Sequence, residues 1–589
     1  MSALFQRLVR DLPERHAPGK NSFAMDAKSL RSWISHLPLA NPGATARLLI
    51  GGLREMNQLR VDPLQRLEAL ELLRQPVDQI IVTLDKQVLG DSFPLPPQKQ
   101  QLGQLAQEFE RELAQGYGAV VYDLCAPAGA VPFMRGKVVA QALTRAIQHR
   151  GAYLYQAYLL YHAPPAGAWQ NLHDLFRFAV AVQADDKAVE DPMHAGAQIS
   201  VRMAYIHALL FALSNPYRFT QRENGEIYAL TRVWASRCEL REGRAPAGAV
   251  AIRTDSDQSL GYLPEEREIP GDGLWALEIS GLLRFLEGQL ATLPPGVAST
   301  QFRLRGGATV QTDVAFVERL MRSWDSGAER SQQRLAAGHH LDTVIGLHDL
   351  HFVLAGNQDF DSFLRKTRGV AISLHESDRV ASWASSPASG APVKVKHLNA
   401  RVIDQSLGGY RVVWEKIEGM RVKVGELIGL APLADDGEAQ DWMVGAIRWL
   451  RIETSGAMDA GIELLSRRAL PVGLRSFDAQ NVPRSAMRGV LLEGLGSNDD
   501  GASRNSILAP HLFDRDASEV ELTRPGDPFG WPADAVVETL RDVRIDENGG
   551  GYLRVDLPGK ADANTASSPH SAANDNWGSR PGASALGKI

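Results

Sequence analysis

The sequence predicts an α+β protein: a large N-terminal helical region carrying a small β insertion, followed by two small antiparallel β regions. Three observations carry this. From about residue 25 to residue 215 the apolar residues recur at i, i+3, i+4 and i+7, the spacing of amphipathic helices. After residue 356 the spacing changes to short alternating runs joined by Gly-containing turns, the pattern of paired strands. A chain of 589 residues also exceeds what one hydrophobic core organises, so about two to four domains are expected.

The helical region is read from Leu30, Trp33, Ile34 and Leu37, and from Leu67, Leu70, Leu72 and Leu73 followed by Val77 and Ile80. Segments near 43–60, 63–90, 96–115, 133–162, 170–183 and 198–213 repeat the pattern, broken at Asn41-Pro42-Gly43 and Ala163-Pro164-Pro165. The breaks are too uneven for a 34- or 40-residue repeat. Residues 215–226 (NPYRFTQRENGE) read as a helix stop and a polar turn, in which Tyr217 and Arg218 cap and pack. The stretch 240–262 is strand-like, 273–293 reads as a helix, and helices return at about 312–338 and 341–356. The expected division is a helical domain at 1–356 and an arm and linker at 357–392, the latter including ASWASSPASGAP. A first β domain at 393–475 and a second at 476–558 follow. The tail, 559–589, has too few large apolar groups to offset the entropy of ordering and is expected to be disordered.

Composition excludes several function classes. Net charge is −6 and the pI about 6.2, so no global basic field points to nucleic acid or an anionic membrane. Cys125 and Cys238 are the two cysteines, too few for a disulfide framework or a Cys-rich zinc site. No apolar run reaches the roughly 18 residues a membrane span needs, and the N-terminal segment lacks the apolar core of a secretory signal. A cytoplasmic protein without membrane insertion is expected.

One stretch carries a family signature. IDQSLGGYRVVW contains Asp404-x-Ser406-x-x-Gly409. It is followed by the Gly turn and strand Gly425–Leu430, by Gly445-Ala446-Ile447-Arg448-Trp449, and by Gly461-Ile462-Glu463-Leu464. That order and spacing, over about residues 393–468, resembles the PilZ domain, a bacterial six-stranded antiparallel β-barrel that typically binds cyclic di-GMP. The resemblance implies that Asp404 offers carboxylate oxygens to a guanine N–H edge and that Ser406 supplies a hydroxyl. Gly409 suits a tight turn or a close backbone approach. Without a ligand, Asp404 and Ser406 also fit a strand-ending Asx or ST turn.

The family also carries an R-x-x-x-R arm before its first strand, whose guanidinium groups stack on guanine and fork onto phosphate. Here R-x-x-x-R occurs at Arg218/Arg222, Arg237/Arg241, Arg330/Arg334 and Arg484/Arg488, roughly the number composition alone predicts. None lies directly before Val393. A variant arm is therefore sought in Arg365, Arg368 or Arg379, or in Arg484 and Arg488 from the following β segment, with Arg448 joining the ligand set. The other reading is a degenerate barrel that no longer binds ligand and acts as a scaffold or adaptor.

His339, His340, His348 and His351 cluster, but His351 shares a helical face with Val344, Leu347 and Leu354, which favours a core histidine over a metal ligand. Phosphate-loop, metalloprotease, nucleophile-elbow and dinucleotide-binding motifs are absent, as are cyclase and phosphodiesterase strings. The resulting expectation is a non-catalytic cyclic di-GMP receptor, with no cofactor or metal, that couples nucleotide binding at the barrel to an unknown protein partner through the helical domain.

Overall fold

The computed structural model describes the chain apart from residues 1, 91, 195, 264–272, 295, 305–308, 325–333, 369–394, 434–439, 478–481, 494–504, 514–518, 526–535, 542–543 and 557–589. The expected linker 381–392 and the tail 559–589 lie outside the described residues.

Among the described residues nine α-helices open the chain: α1 (Ser2–Arg7), α2 (Ala27–Ser35), α3 (Pro42–Gln58), α4 (Pro63–Val88), α5 (Pro97–Cys125), α6 (Gly136–Leu159), α7 (Ala168–Ala181), α8 (Val201–Leu213) and α9 (Gln221–Trp234). Local chemistry starts them. Asp62 accepts hydrogen bonds from the Leu64 and Gln65 amides ahead of Pro63, and Asn41 does the same for Ala44 ahead of Pro42. α9 replaces the polar turn expected at 215–226. Its start is a capping box in which Thr220 and Glu223 bond to each other's backbone amides. Their apolar faces meet in one core that includes Leu70, Val77, Leu113, Val120, Leu143, Leu209 and Ile227.

Short strands decorate this array. β1 (Val189–Asp191) and β2 (Ala197–Ile199) pair with each other. β3 (Glu239–Glu242), β4 (Val250–Arg253), β5 (Gly261–Tyr262) and β6 (Leu274–Glu278) form a sheet in the order β3-β6-β4-β5. The helix expected at 273–293 is thus shortened to α10 (Ser280–Ala291), because LWALE supplies the strand that β3 and β4 pair with. A hairpin, β7 (Ser299–Arg303) and β8 (Thr309–Asp313), precedes α11 (Val314–Trp324).

The next strands close a barrel. β9 (Leu335–Ala336) and β10 (His340–Ile345) come before α12 (Leu347–Leu354) and α13 (Phe360–Arg368). β11 (Leu398–Ser406), β12 (Gly409–Trp414), β13 (Leu427–Pro432), β14 (Met443–Ile452) and β15 (Met458–Ser466) follow. The order β10-β13-β14-β15-β12-β11 closes through β11–β10 pairing into six antiparallel strands, with β9 added beside β11. Residues 341–345, expected to be helical, therefore belong to the barrel's first strand, and the expected start at 393 leaves that strand out. The reason is non-local: HLDTVI is fixed by hydrogen bonding to β11 and β13, more than fifty residues downstream. Alternation along the strands puts Leu398, Ala400, Val402, Val412, Trp414, Ile447, Met458, Ala460 and Ile462 inside.

The chain divides into two compact units. The first holds the helical array, its small sheets and the barrel. Within it Phe93 and Val422 exchange backbone hydrogen bonds at 2.8 and 2.9 Å, and Val88, Phe93, Leu95, Leu160 and Tyr161 belong to the barrel's own core. Tyr217 donates its hydroxyl to the His162 carbonyl at 2.9 Å, which makes it a packing residue.

The second unit is a seven-stranded antiparallel sheet with α13. Its strands are β16 (Ala469–Ser476), β17 (Met487–Leu492), β18 (Ser506–Ala509), β19 (Glu519–Arg524), β20 (Val536–Arg541), β21 (Arg544–Asn548) and β22 (Leu553–Asp556), in the order β20-β19-β16-β17-β18-β22-β21. β16 pairs with β17 and β19, so residues 469–475, expected in the first β domain, belong to this sheet. Phe363 and Leu364 of α13 are buried, and Leu364 lies where a side chain at Gly473 would sit. His351 is fully buried between the Phe360 and Phe363 rings, at 5.2 and 5.0 Å, a core histidine.

Candidate functional site on the barrel wall

The D-x-S-x-x-G segment forms the β11–β12 hairpin. Ser406 faces Gly409 across the closing pair, with Leu407 and Gly408 as the loop, and Asp404 faces Arg411. A β-bulge falls between Val402 and Asp404. Strict alternation would turn residue 404 inward with Val402. The extra residue, Ile403, re-aims Asp404 to the outer wall beside Arg411. At Gly409 the backbone passes so close to β15 that a Cβ would stand 2.0 Å from the Ile462 carbonyl oxygen, which no other residue type tolerates.

An arginine reaches this hairpin from the segment ahead of the first barrel strand. Arg334 donates Nη1–H to Asp404 Oδ1 at 2.7 Å. The pairing of β9 with β11, Leu335 opposite Gln405 and Ala336 opposite Asp404, holds it there. Asp404 keeps a fifth of its side-chain surface exposed and Arg334 about half, so both present open edges to solvent.

Next along the same wall stands Arg411. Its guanidinium grips Asp459 through two bonds of 3.0 and 2.8 Å, and Arg451 adds a third at 3.1 Å. Asp459 is fully buried, and two guanidinium groups are what offset the cost of removing that carboxylate from water. The bond to Asp459 raises the Arg411 pKa further above its usual value. Gly461 lies opposite Arg411 on β15, and the Trp449 indole occupies the space its missing side chain leaves: a Cβ there would be 1.8 Å from Nε1. The Arg411 guanidinium lies 6.0 Å from that ring. Arg448 pairs with Glu463, and burial together with the Arg448 charge lowers the pKa of Arg218, from the turn after α8.

Of the residues singled out from the sequence, Asp404, Ser406 and Gly409 meet on one hairpin, and Arg448 lies on β14 of the same barrel. Arg365, Arg368, Arg484 and Arg488 belong to the second unit and have partners there. Arg365 pairs with Asp361, and Arg368 with Glu521 at 2.8 Å. Arg484 is held by its backbone to Ser476, and Arg488 lies 5.1 Å over the Phe360 ring. Arg379 lies outside the described residues. Arg334, Arg411 and Trp449 were missed. Arg334 had a signal, the Arg330/Arg334 pair, which gains meaning once HLDTVI is recognised as the strand that follows it; Arg330 itself lies outside the described residues.

A closed six-stranded antiparallel barrel with this hairpin motif defines a class, and the comparison with known families agrees. Residues 28–246 match the N-terminal domain of the cyclic-di-GMP receptor FimW, and 250–397 and 384–471 match the middle PilZ domain of the same receptor. The chain belongs to the PilZ-domain proteins. In particular, it is 25% identical over 538 residues to the cyclic-di-GMP receptor FimW of Pseudomonas aeruginosa, covering 85% of this chain and 86% of that one. No solved structure matches it.

Proposed function

We propose that this protein is a non-catalytic cytoplasmic receptor for cyclic di-GMP, with the ligand held on the barrel wall at Arg334, Asp404, Ser406 and Gly409. The contact between Arg334 and Asp404 carries the reading, because it brings a guanidinium from ahead of the first strand to the D-x-S-x-x-G hairpin. Asp404 and Ser406 offer acceptors and a hydroxyl to a guanine edge, and Arg334, with Arg330 four residues upstream in sequence, offers forked donors to phosphate or a flat cation to a base. The relative's name and the absence of a membrane-length apolar helix among the described residues support a receptor of this kind. Binding would be transmitted to the helical array within the first unit, through Phe93, Tyr161 and the Arg218 turn packed on the barrel, and from there to a protein partner.

Calorimetric titration of the full chain with cyclic di-GMP tests this. Binding in the nanomolar to micromolar range, weakened at least tenfold by Arg334→Ala and by Asp404→Ala and unchanged by Arg365→Ala, is the expected result; one lost charge-assisted bond is worth about 1.5–3 kcal/mol. No binding up to about a millimolar ligand would favour the scaffold reading, and an Arg334→Ala protein that binds like wild type would place the ligand away from this hairpin.

A further inference from the structure

Inside the helical array, between α4, α5, α6, α8 and α9, lies a partly open cavity of about 170 Å³ whose lining is far more polar than a helical core requires. Asp78 and Asp85 from α4 and Glu110 from α5 face it together, and the stacked Tyr155 and Tyr228 rings, 4.1 Å apart, form part of its wall. Glu110 is buried and Asp85 half-buried, and helix packing alone gives no reason to hold them beside the more exposed Asp78, since a carboxylate taken from water costs desolvation free energy.

The charges do not cancel locally. Arg74 also lines the cavity, but it is bound to Asp191 at 3.2 Å and to Glu71 at 3.5 Å, and Arg145 shares those two carboxylates. That leaves Asp78, Asp85 and Glu110 against Arg232, which is engaged with His194 and lies 5.5 Å from the Tyr228 ring. His149 bonds Glu110 through Nδ1 at 2.7 Å, and His207 donates Nε2–H to the Tyr228 carbonyl at 2.9 Å, where burial pushes its pKa down to about 3. Burial, reinforced by Glu110, raises the pKa of Asp78.

An independent observation points the same way. Gln156, 2% exposed, bonds through Nε2 to both Asp85 carboxylate oxygens, at 3.3 and 3.1 Å, and its Oε1 has no partner among the described residues. His149 Nε2, at the same cavity, has none either. Native interiors leave few buried polar atoms unsatisfied, and those that remain call for a missing partner. Here an unused acceptor, carboxylates and aromatic faces converge on one space, and all three are complementary to a positive group bearing N–H donors.

We infer that this cavity in the N-terminal helical array binds a small organic cation, an amine, amidine or guanidine of a few heavy atoms, held by Asp78, Asp85 and the Gln156 carbonyl. The volume admits several water-sized atoms, so the guest is a compact metabolite-sized cation and not a dinucleotide. The site lies on different elements from the barrel wall and does not depend on what the barrel binds.

Calorimetric titration of the full chain at pH 8 with methylguanidinium and with 1,4-diaminobutane, against N-methylurea and acetate as neutral and anionic controls of similar size, tests it. The expected result is binding of at least one cation with a Kd below about 5 mM, at least tenfold tighter than either control and weakened at least tenfold by Asp85→Asn. Asp78→Asn, an equally isosteric change on the same helix, should weaken it in the same direction and guards against a folding defect in the first variant. Failure of both cations to bind below that limit, binding of the urea as tight as that of the cations, or variants that bind like wild type would overturn the inference.

Discussion

Asp85 sits where burial, and then the charges of Glu110 and Asp78, act in one direction, and its carboxyl is raised from 3.8 to about 7 against the opposing hydrogen bond from Gln156. The folded state therefore keeps a proton between about pH 4 and 7 that the unfolded chain releases. Stability from this group is complete below about pH 4 and is lost as pH rises to about 7, by up to about 1.4 kcal/mol for each pH unit crossed. Asp85→Asn cannot titrate, so urea denaturation of variant and wild type should show the variant gaining on wild type from about pH 4 to 7, after which the gap holds. A gap independent of pH would show that Asp85 is not perturbed in this way. Nothing in the sequence marks this residue, because its neighbours in space come from five helices and no spacing links them. Arg334 differs: its motif is visible in the sequence, but four such pairs occur and only the strand that follows separates this one from chance.

At the level of elements, the barrel wall depends on two glycines that meet different obstacles. A methyl at Gly409 would strike the Ile462 carbonyl, part of a backbone hydrogen-bonded on both sides, and nothing there can move without breaking the ladder. A methyl at Gly461 would strike the Trp449 indole, a half-buried side chain whose displacement breaks no strand pairing. Gly409→Ala should therefore cost about 3 kcal/mol or more and Gly461→Ala appreciably less, within the range that overpacking produces. Thermal melts order the two, and equal losses would mean that the indole is as fixed as the backbone. The same contrast explains what the sequence shows of the elements. Helices α3 to α8 are legible from their own spacing, since each stripe faces one core and the caps are local. β6 and β10 are not, because LWALE and HLDTVI read as helix by spacing and become strands only through partners elsewhere in the chain. α9 starts at a capping box, Thr220 to Glu223, set in a polar stretch just after Pro216, so by composition its first turn reads as a loop.

On the scale of the first unit, the barrel is no appendage on a helical output domain. Phe93, from the loop between α4 and α5, is 1% exposed, exchanges two backbone hydrogen bonds with Val422 and stacks edge-on with Tyr161 at 4.8 Å. Lys423 adds a bond to the Gly90 carbonyl at 2.9 Å, and the Ile452 amide donates to Tyr161 at 2.8 Å. Helices and barrel thus share an apolar core, and a signal received on the barrel wall has a packed route into the helices. Truncating Phe93 to alanine removes a large side chain from that shared core, at a cost of about 3–5 kcal/mol. If the core is shared, the loss is felt on both sides: hydrogen exchange of barrel amides such as Val412 and of helical amides such as Leu160 should accelerate together in Phe93→Ala. Exchange that accelerates in the helices alone would show two regions opening independently, and the path from barrel to helices would then have to run through the Arg218 turn and its Arg448 neighbour.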